Sequence, residues 1–208
     1  MPPYKSPGRP MRVRPQILSA ARELFLEQGL DVTLDAIATR AGTTRQTLYN
    51  HFANKTTLLI EVFEGFKSDL ETPFSSAAAE TMPIEDLLAQ VGQAVQAHFY
   101  DADVLRLLRL LIVGMVQMPN VLPELEQRRT GSVRRLLTAA LVRERARGVI
   151  QVEHAEDAAK AFLGAVMGPM FPLALLGGSV PSAEELQRLN LEACHTFLCA
   201  WRPAARNE

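Results

Sequence analysis

Between Arg45 and His51 the chain sets out Arg45, Gln46, Thr47, Tyr49, Asn50 and His51, broken only by Leu48 and followed by Phe52. Side chains of these types recognise more readily than they react. An arginine offers a donor fork that fits guanine O6 and N7, and a glutamine offers the donor–acceptor pair that fits adenine. Arg45 and Gln46 are therefore candidate base readers. Hydroxyl, imidazole and ammonium groups suit phosphate oxygens, contacts that position a protein on a duplex without reading its sequence. Thr33, Thr44, Tyr49, His51 and Lys55 fit that role, and Thr43, Thr47 and Asn50 complete the polar face.

These side chains need a rigid frame. Leu34, Ile37, Ala38 and Ala41 recur at spacings of three and four, one face of a short helix. Thr33 stands before them as an N-cap, and Gly42 follows as a left-handed stop. Thr43, with Gln46 three residues on, fits a capping box for a second helix; Thr44 is an equally good cap. Leu48 and Phe52 give that second helix an inward face. Small Ala38 and Ala41 let the two helices cross closely, as in a helix-turn-helix whose second helix enters the major groove. An ordinary polar helical hairpin would share this spacing. The periodicity also predicts a helix from about Pro15 to Gln28, with Ile17, Ala21, Leu24 and Phe25 inward and Gly29 as its stop. A further helix is expected from Lys55 to about Leu70 behind an Asn54 cap, with Leu58, Leu59, Val62, Phe63 and Phe66 on its apolar side. Its unbroken pattern would make it a lever between head and body.

Residues 13–65 resemble the DNA-binding domain of TetR-type repressors. The resemblance is carried by Ala21, Phe25, Gly29, Thr33, Ile37, Ala38, Ala41, Gly42, Thr47, Leu48, Tyr49, His51, Phe52, Lys55 and Leu58, most specifically by Leu48 to Lys55. It implies a three-helix DNA-binding head, a connecting fourth helix, and a larger helical domain that binds a ligand and dimerises through the last two long helices. Carried over, Thr33, Thr44, Arg45, Gln46, Thr47, Tyr49, His51 and Lys55 take DNA-contact positions. One departure stands out: relatives often have a small residue where this chain has Gln46. A large amide there favours a direct base contact or an unusual operator preference.

The 208 residues are 48% hydrophobic and 6% aromatic, dominated by Leu and Ala, with few β-branched runs. That composition predicts an all-α chain of about nine helices. The net charge of −1 hides an asymmetry, because residues 1–60 carry +4 and the remainder −5. A basic head on an acidic body suits DNA binding through one end. The expected organisation is a flexible, Pro-rich basic arm at 1–12, a helix-turn-helix domain at 13–53, and a connector plus ligand-binding and dimerisation domain at 54–208. Within the last region, helical stretches are expected at Ile84–Tyr100, Val104–Gln117, Leu122–Arg147, Ala155–Leu176 and Ala183–Trp201.

Ala155–Leu176 is the most informative of these. Pro169 and Pro172 lack backbone donors and would kink the helix, freeing the carbonyls of Ala165 and Gly168. Adaptable Met167 and Met170 with Phe171 would line a wall for an apolar effector. Phe66, Phe99, Leu108, Leu111, Met115 and Met118 are the matching candidates on other helices. For any single residue of these stripes, plain core is the commoner role.

Catalysis finds no support here. There is no Gly-rich phosphate loop, and His51, His98, His154 and His195 fall in separate segments, with His98 expected as a surface or boundary residue. Cys194 and Cys199 lack metal-ligand spacing and are expected as buried free thiols. No enzyme activity, metal or cofactor is expected. No signal peptide or membrane span is visible, since the apolar run Ala161–Leu176 is interrupted and short for a bilayer. The chain is thus expected in the cytoplasm, as a homodimeric, effector-responsive regulator on a near-palindromic double-stranded operator. The alternative is a small-molecule binding or sequestering protein with a vestigial head. Steep salt dependence of DNA binding would separate the two.

Overall fold

A computed structural model describes residues 13–75, 80–117, 123 and 132–203. The arm at 1–12 and candidate Met118 lie outside the described residues, as does the side chain of Phe66. Among the described residues the chain is all α, with ten helices and no strand. They are α1 (Val13–Gln28), α2 (Leu34–Arg40), α3 (Arg45–His51), α4 (Lys55–Glu64), α5 (Ile84–Phe99), α6 (Ala102–Gln117), α7 (Ser132–Ala146), α8 (Ala155–Met167), α9 (Met170–Leu175) and α10 (Ala183–Trp201).

Packing divides the chain into two units. One is built on the residues up to Gly65 with the segment from Leu110, the other on Phe66–Arg109 and the chain after Glu126. The division falls at Gly65 rather than at Asn54 because α4 is part of the first core. Leu58, Leu59, Ile60 and Val62 are buried with Ile17, Leu24, Phe25, Ile37, Leu48 and Phe52. Arg14 pairs with Glu61 and lies over the Phe52 ring, 5.2 Å from its centroid, which ties α1 to the far side of that core. Gly29 ends α1 at φ +68, and a Cβ there would stand 3.5 Å from Leu110 Cδ2.

The expected unbroken helix from Lys55 to Leu70 stops at Glu64. From Gly65 to Phe74 the chain tightens into a 3₁₀ helix that takes in Pro73. Glycine costs about 1 kcal/mol in a helix interior, and it has no side chain to pack there. In the second unit α5, α8 and α10 pack on one another and α7 packs on α8. Their core holds Leu88, Val91, Val95, Leu137, Leu141, Phe162, Val166 and Trp201. Phe197 meets Phe162 edge-on at 5.6 Å and lies tilted against Trp201 at 5.1 Å. Helix α6 begins at Ala102 rather than Val104, because Asp101 Oδ1 accepts from the N–H groups of Asp103 and Val104.

The helix expected over Ala155–Leu176 is two helices. Gly168 takes φ +72, a left-handed conformation that ends α8, and Pro169 and Pro172 then begin and sit within the short α9. The stretch expected to begin at Leu122 is described from Ser132 onward.

Candidate nucleic-acid interface and ligand region

The turn between α2 and α3 is built from backbone hydrogen bonds. Thr33 caps α2, its hydroxyl accepting from Ala36 N at 3.1 Å. At the other end Gly42 is left-handed, φ +65. Its N–H donates to Thr39 O at 3.1 Å, and that of Thr43 donates to Ala38 O at 3.0 Å. This paired reversal satisfies carbonyls that a helix end leaves open. Of the two possible caps for α3, Thr44 is the one used, accepting from Thr47 N at 3.1 Å. The Thr43–Gln46 capping box therefore does not form. The spacing matches, but Thr43 is spent closing α2.

With the cap at Thr44, Leu48 turns fully into the core and Phe52 follows it at the helix end. Arg45, Gln46, Tyr49, Asn50 and His51 are left exposed, with Thr33 and Thr44; Thr43, Thr47 and Lys55 are half-buried. The face is internally ordered. Arg45 Nη1 donates to Asp35 Oδ2 at 2.9 Å, while its guanidinium lies 5.4 Å from the Tyr49 ring centroid with Nη2 3.5 Å from the hydroxyl. Gln46 Nε2 donates to Asn50 Oδ1 at 3.1 Å, and the Thr44 and Thr47 hydroxyls are 2.9 Å apart.

Lys55 follows the Asn54 cap, which accepts from Thr57 N at 2.8 Å. Its ammonium donates to Leu30 O, closing the loop after α1. Partial burial lowers its pKa, against an opposing pull from Asp31. Lys55 thus has a structural partner that its spacing did not reveal. Asp35 is likewise absent from the candidates read in the sequence. Its place in the first turn of α2, beside Arg45 across the turn, appears only when the helices cross.

In the second unit the rings of Phe99 and Phe171 come together. Phe171 meets Phe99 edge-on at 5.7 Å and Tyr100 at 5.8 Å, while Phe99 and Met167 pack on the same core cluster. Met170 is exposed. On α6 the candidates are divided. Half-buried Leu108 belongs with the second unit, whereas buried Leu111 and half-buried Met115 belong with the first. None of these candidates lines the surface depression formed by Ile84, Ile150, His195, Leu198 and Cys199, or those along α10 and beside Arg145.

The carbonyls at the break are taken by the chain itself. Gln96 Nε2 donates to Val166 O at 2.9 Å and Leu186 O at 2.8 Å. The Tyr100 hydroxyl, whose pKa burial raises, donates to Met167 O at 2.6 Å. Gly168 O accepts from Phe171 N at 3.4 Å. Past α9, the Arg109 fork donates to Ala174 O and Leu175 O at 2.8 and 2.7 Å. His98, expected at a boundary, is buried against Phe99 at 4.8 Å. Cys194 is buried, which raises its thiol pKa, but Cys199 is exposed. Five residues on a helix turn the second thiol well away from the first.

Residues 17–62 match the bacterial regulatory proteins of the tetR family. Residues 86–203, more than half of the chain, match the C-terminal domain of AefR-like transcriptional repressors. The chain belongs to the TetR family. It is similar to a Mesorhizobium loti protein described as a TetR-family transcriptional regulator, at 25% identity over 95% of this chain and 100% of that one, TM-score 0.78. It is also similar to the flavonoid-responsive regulator FrrA, at 25% identity over 94% of this chain and 100% of that one, TM-score 0.73. The uncharacterised helix-turn-helix regulator TtgW of Pseudomonas putida is 39% identical over 72 residues. That match covers 34% of this chain and 54% of TtgW, so the chain spans about half of that relative's length. As a TetR-family member the chain is a DNA-binding helix-turn-helix regulator, and its relatives are regulators rather than enzymes. No helix among the described residues is long and apolar enough to cross a membrane.

Proposed function

We propose that this TetR-family chain is a homodimeric repressor, released from a near-palindromic operator by a small, mostly apolar molecule. The observation that carries the reading is the α3 face. Its readers are outward and ordered, while Leu48 and Phe52 anchor the helix in the head core. Arg45 and Gln46 read bases; Thr33, Thr44, Tyr49 and His51 hold phosphates, with Thr43, Thr47, Asn50 and Lys55 supporting them. One short helix reads few bases, so a two-fold pair presents two α3 helices to successive major grooves about 34–36 Å apart. Helices α8 and α10 form the dimer interface. Exposed Leu191 on α10 supports apolar surface being covered there, and exposed Leu173 and Leu176 stand at α9 between the two helices in the chain.

The effector enters near Phe99, Met167 and Phe171, and favours a state whose α3 separation no longer fits the groove. A flavonoid-responsive neighbour of similar fold is consistent with a planar apolar effector. The test is a fluorescence-anisotropy titration against DNA from beside the protein's own gene, at two salt concentrations, with an unrelated duplex as control. Tight selective binding is expected, weakened about tenfold or more by Arg45→Ala and less by Tyr49→Phe, with sedimentation showing an intact dimer in both. Equal, weak binding to both duplexes, or unchanged affinity in both variants, refutes the assignment.

A further inference from the structure

We propose that Asp35 is a positioning residue that sets the DNA selectivity of Arg45, an inference that rests on the DNA-reading assignment above. The Asp35–Arg45 pair is 2.9 Å long, yet its side chains are 57% and 63% exposed. An ion pair this open contributes little to folding. The first unit also has another arrangement for stability: Arg40 pairs with Glu23 and Glu27 of α1 and so braces α2 from behind. Asp35 instead spends its charge on the one arginine of the reading helix.

The geometry determines what that arginine can do. Asp35 takes one N–H of Nη1, and Nη2 is held by the Tyr49 hydroxyl with the ring beneath the guanidinium. Each of these nitrogens keeps a second N–H and Nε keeps its own, so three of the five donors remain, and guanine O6 and N7 accept two. A free arginine would swing to any nearby phosphate, a contact that adds affinity for every sequence alike. The carboxylate opposes that in two ways. It restrains the fork, and it places a negative charge where an uncompensated phosphate would approach. Asp35 therefore lowers affinity for non-operator DNA more than for the operator.

The experiment compares wild type, Asp35→Ala, Arg45→Ala and the double variant. Each is titrated across a salt series against a duplex that wild type selects from a randomised pool and against its scrambled version. Thermal unfolding checks that each variant is folded. For Asp35→Ala the expected result is a selectivity ratio down about tenfold, carried mainly by tighter scrambled-duplex binding, with a salt slope steeper by about 0.9 for one more phosphate contact. On the Arg45→Ala background the same substitution should leave the ratio unchanged, which a general role for Asp35 in holding α2 would not produce. A selective wild type with an unchanged ratio in Asp35→Ala, or an equal loss on both backgrounds, overturns the inference alone. A wild type that enriches no sequence overturns the DNA-reading assignment and this inference with it.

Discussion

The two units of this chain satisfy their helix ends from different distances. In the first, caps come from three residues away: Thr33 serves Ala36, Thr44 serves Thr47 and Asn54 serves Thr57. In the second, carbonyls at the end of α8, at the end of α9 and in the first turn of α10 are met from far along the chain. Gln96 lies 70 and 90 residues from the carbonyls it serves, Tyr100 67, and Arg109 65 and 66. The second unit also has local devices, the reciprocal Ser182–Glu185 capping box of α10 and Asp101 at the start of α6, so the contrast is confined to the ends of α8 and α9 and the carbonyl of Leu186. A local cap forms whenever its own turn forms. A remote donor acts only when two segments are packed, so the helix end depends on the rest of the bundle. The first arrangement suits a surface that must present side chains in a constant pattern. The second suits an element that responds when its neighbours move.

The largest break in this comparison is Gln96→Leu. It leaves Val166 O at the end of α8 without its donor and removes a second bond to Leu186 O of α10, at about 1–3 kcal/mol for the first and about 1 kcal/mol for the second, so urea unfolding should show a loss of about 2–4 kcal/mol. A loss within about 0.5 kcal/mol, the range of a neutral surface change, would mean that the remote bonds do not hold the break. Gly92→Ala comes next. Helix α10 lies so close to α5 that a Cβ at Gly92 would stand 1.9 Å from Asn190 Oδ1, while Asn190 Nδ2 donates to Ala89 O. Overpacking of this kind costs about 1–3 kcal/mol. Asn190→Ala on the same chain should cost less than the two single changes summed, and strict additivity would show that the two residues do not crowd.

The smallest effect sharpens the contrast. Thr44→Ala removes a local cap worth about 1 kcal/mol. Hydrogen exchange should then report lost protection in α3 with α8 unchanged. Equal loss in both helices would show that the first unit is no more locally secured than the second.

The same distinction explains what could be read in advance. Thr33, Gly42 and Asn54 were legible because a cap and its target sit within one turn, and side-chain type states the role. The Thr43–Thr44 ambiguity persisted because both threonines precede the same apolar pattern; it ends only when Thr43 N–H is drawn to Ala38 O. No local motif marks Gln96 in α5 or Tyr100 at its end. Their acceptors depend on where Gly168 breaks the chain. Of the two carbonyls expected to be freed by the prolines, that of Gly168 accepts from Phe171 N within the break itself.

Residue order alone accounts for the helical class, the outward polar set from Arg45 to His51, and the ends of the first helices, because each follows from periodicity or from bonds within a turn. Only the folded chain decides that Asp35 faces Arg45, that Lys55 turns to Leu30, and that Gln96, Tyr100 and Arg109 close the break around α9. Those are pairings between segments well apart in the chain, and no local pattern encodes a partner that packing alone brings near.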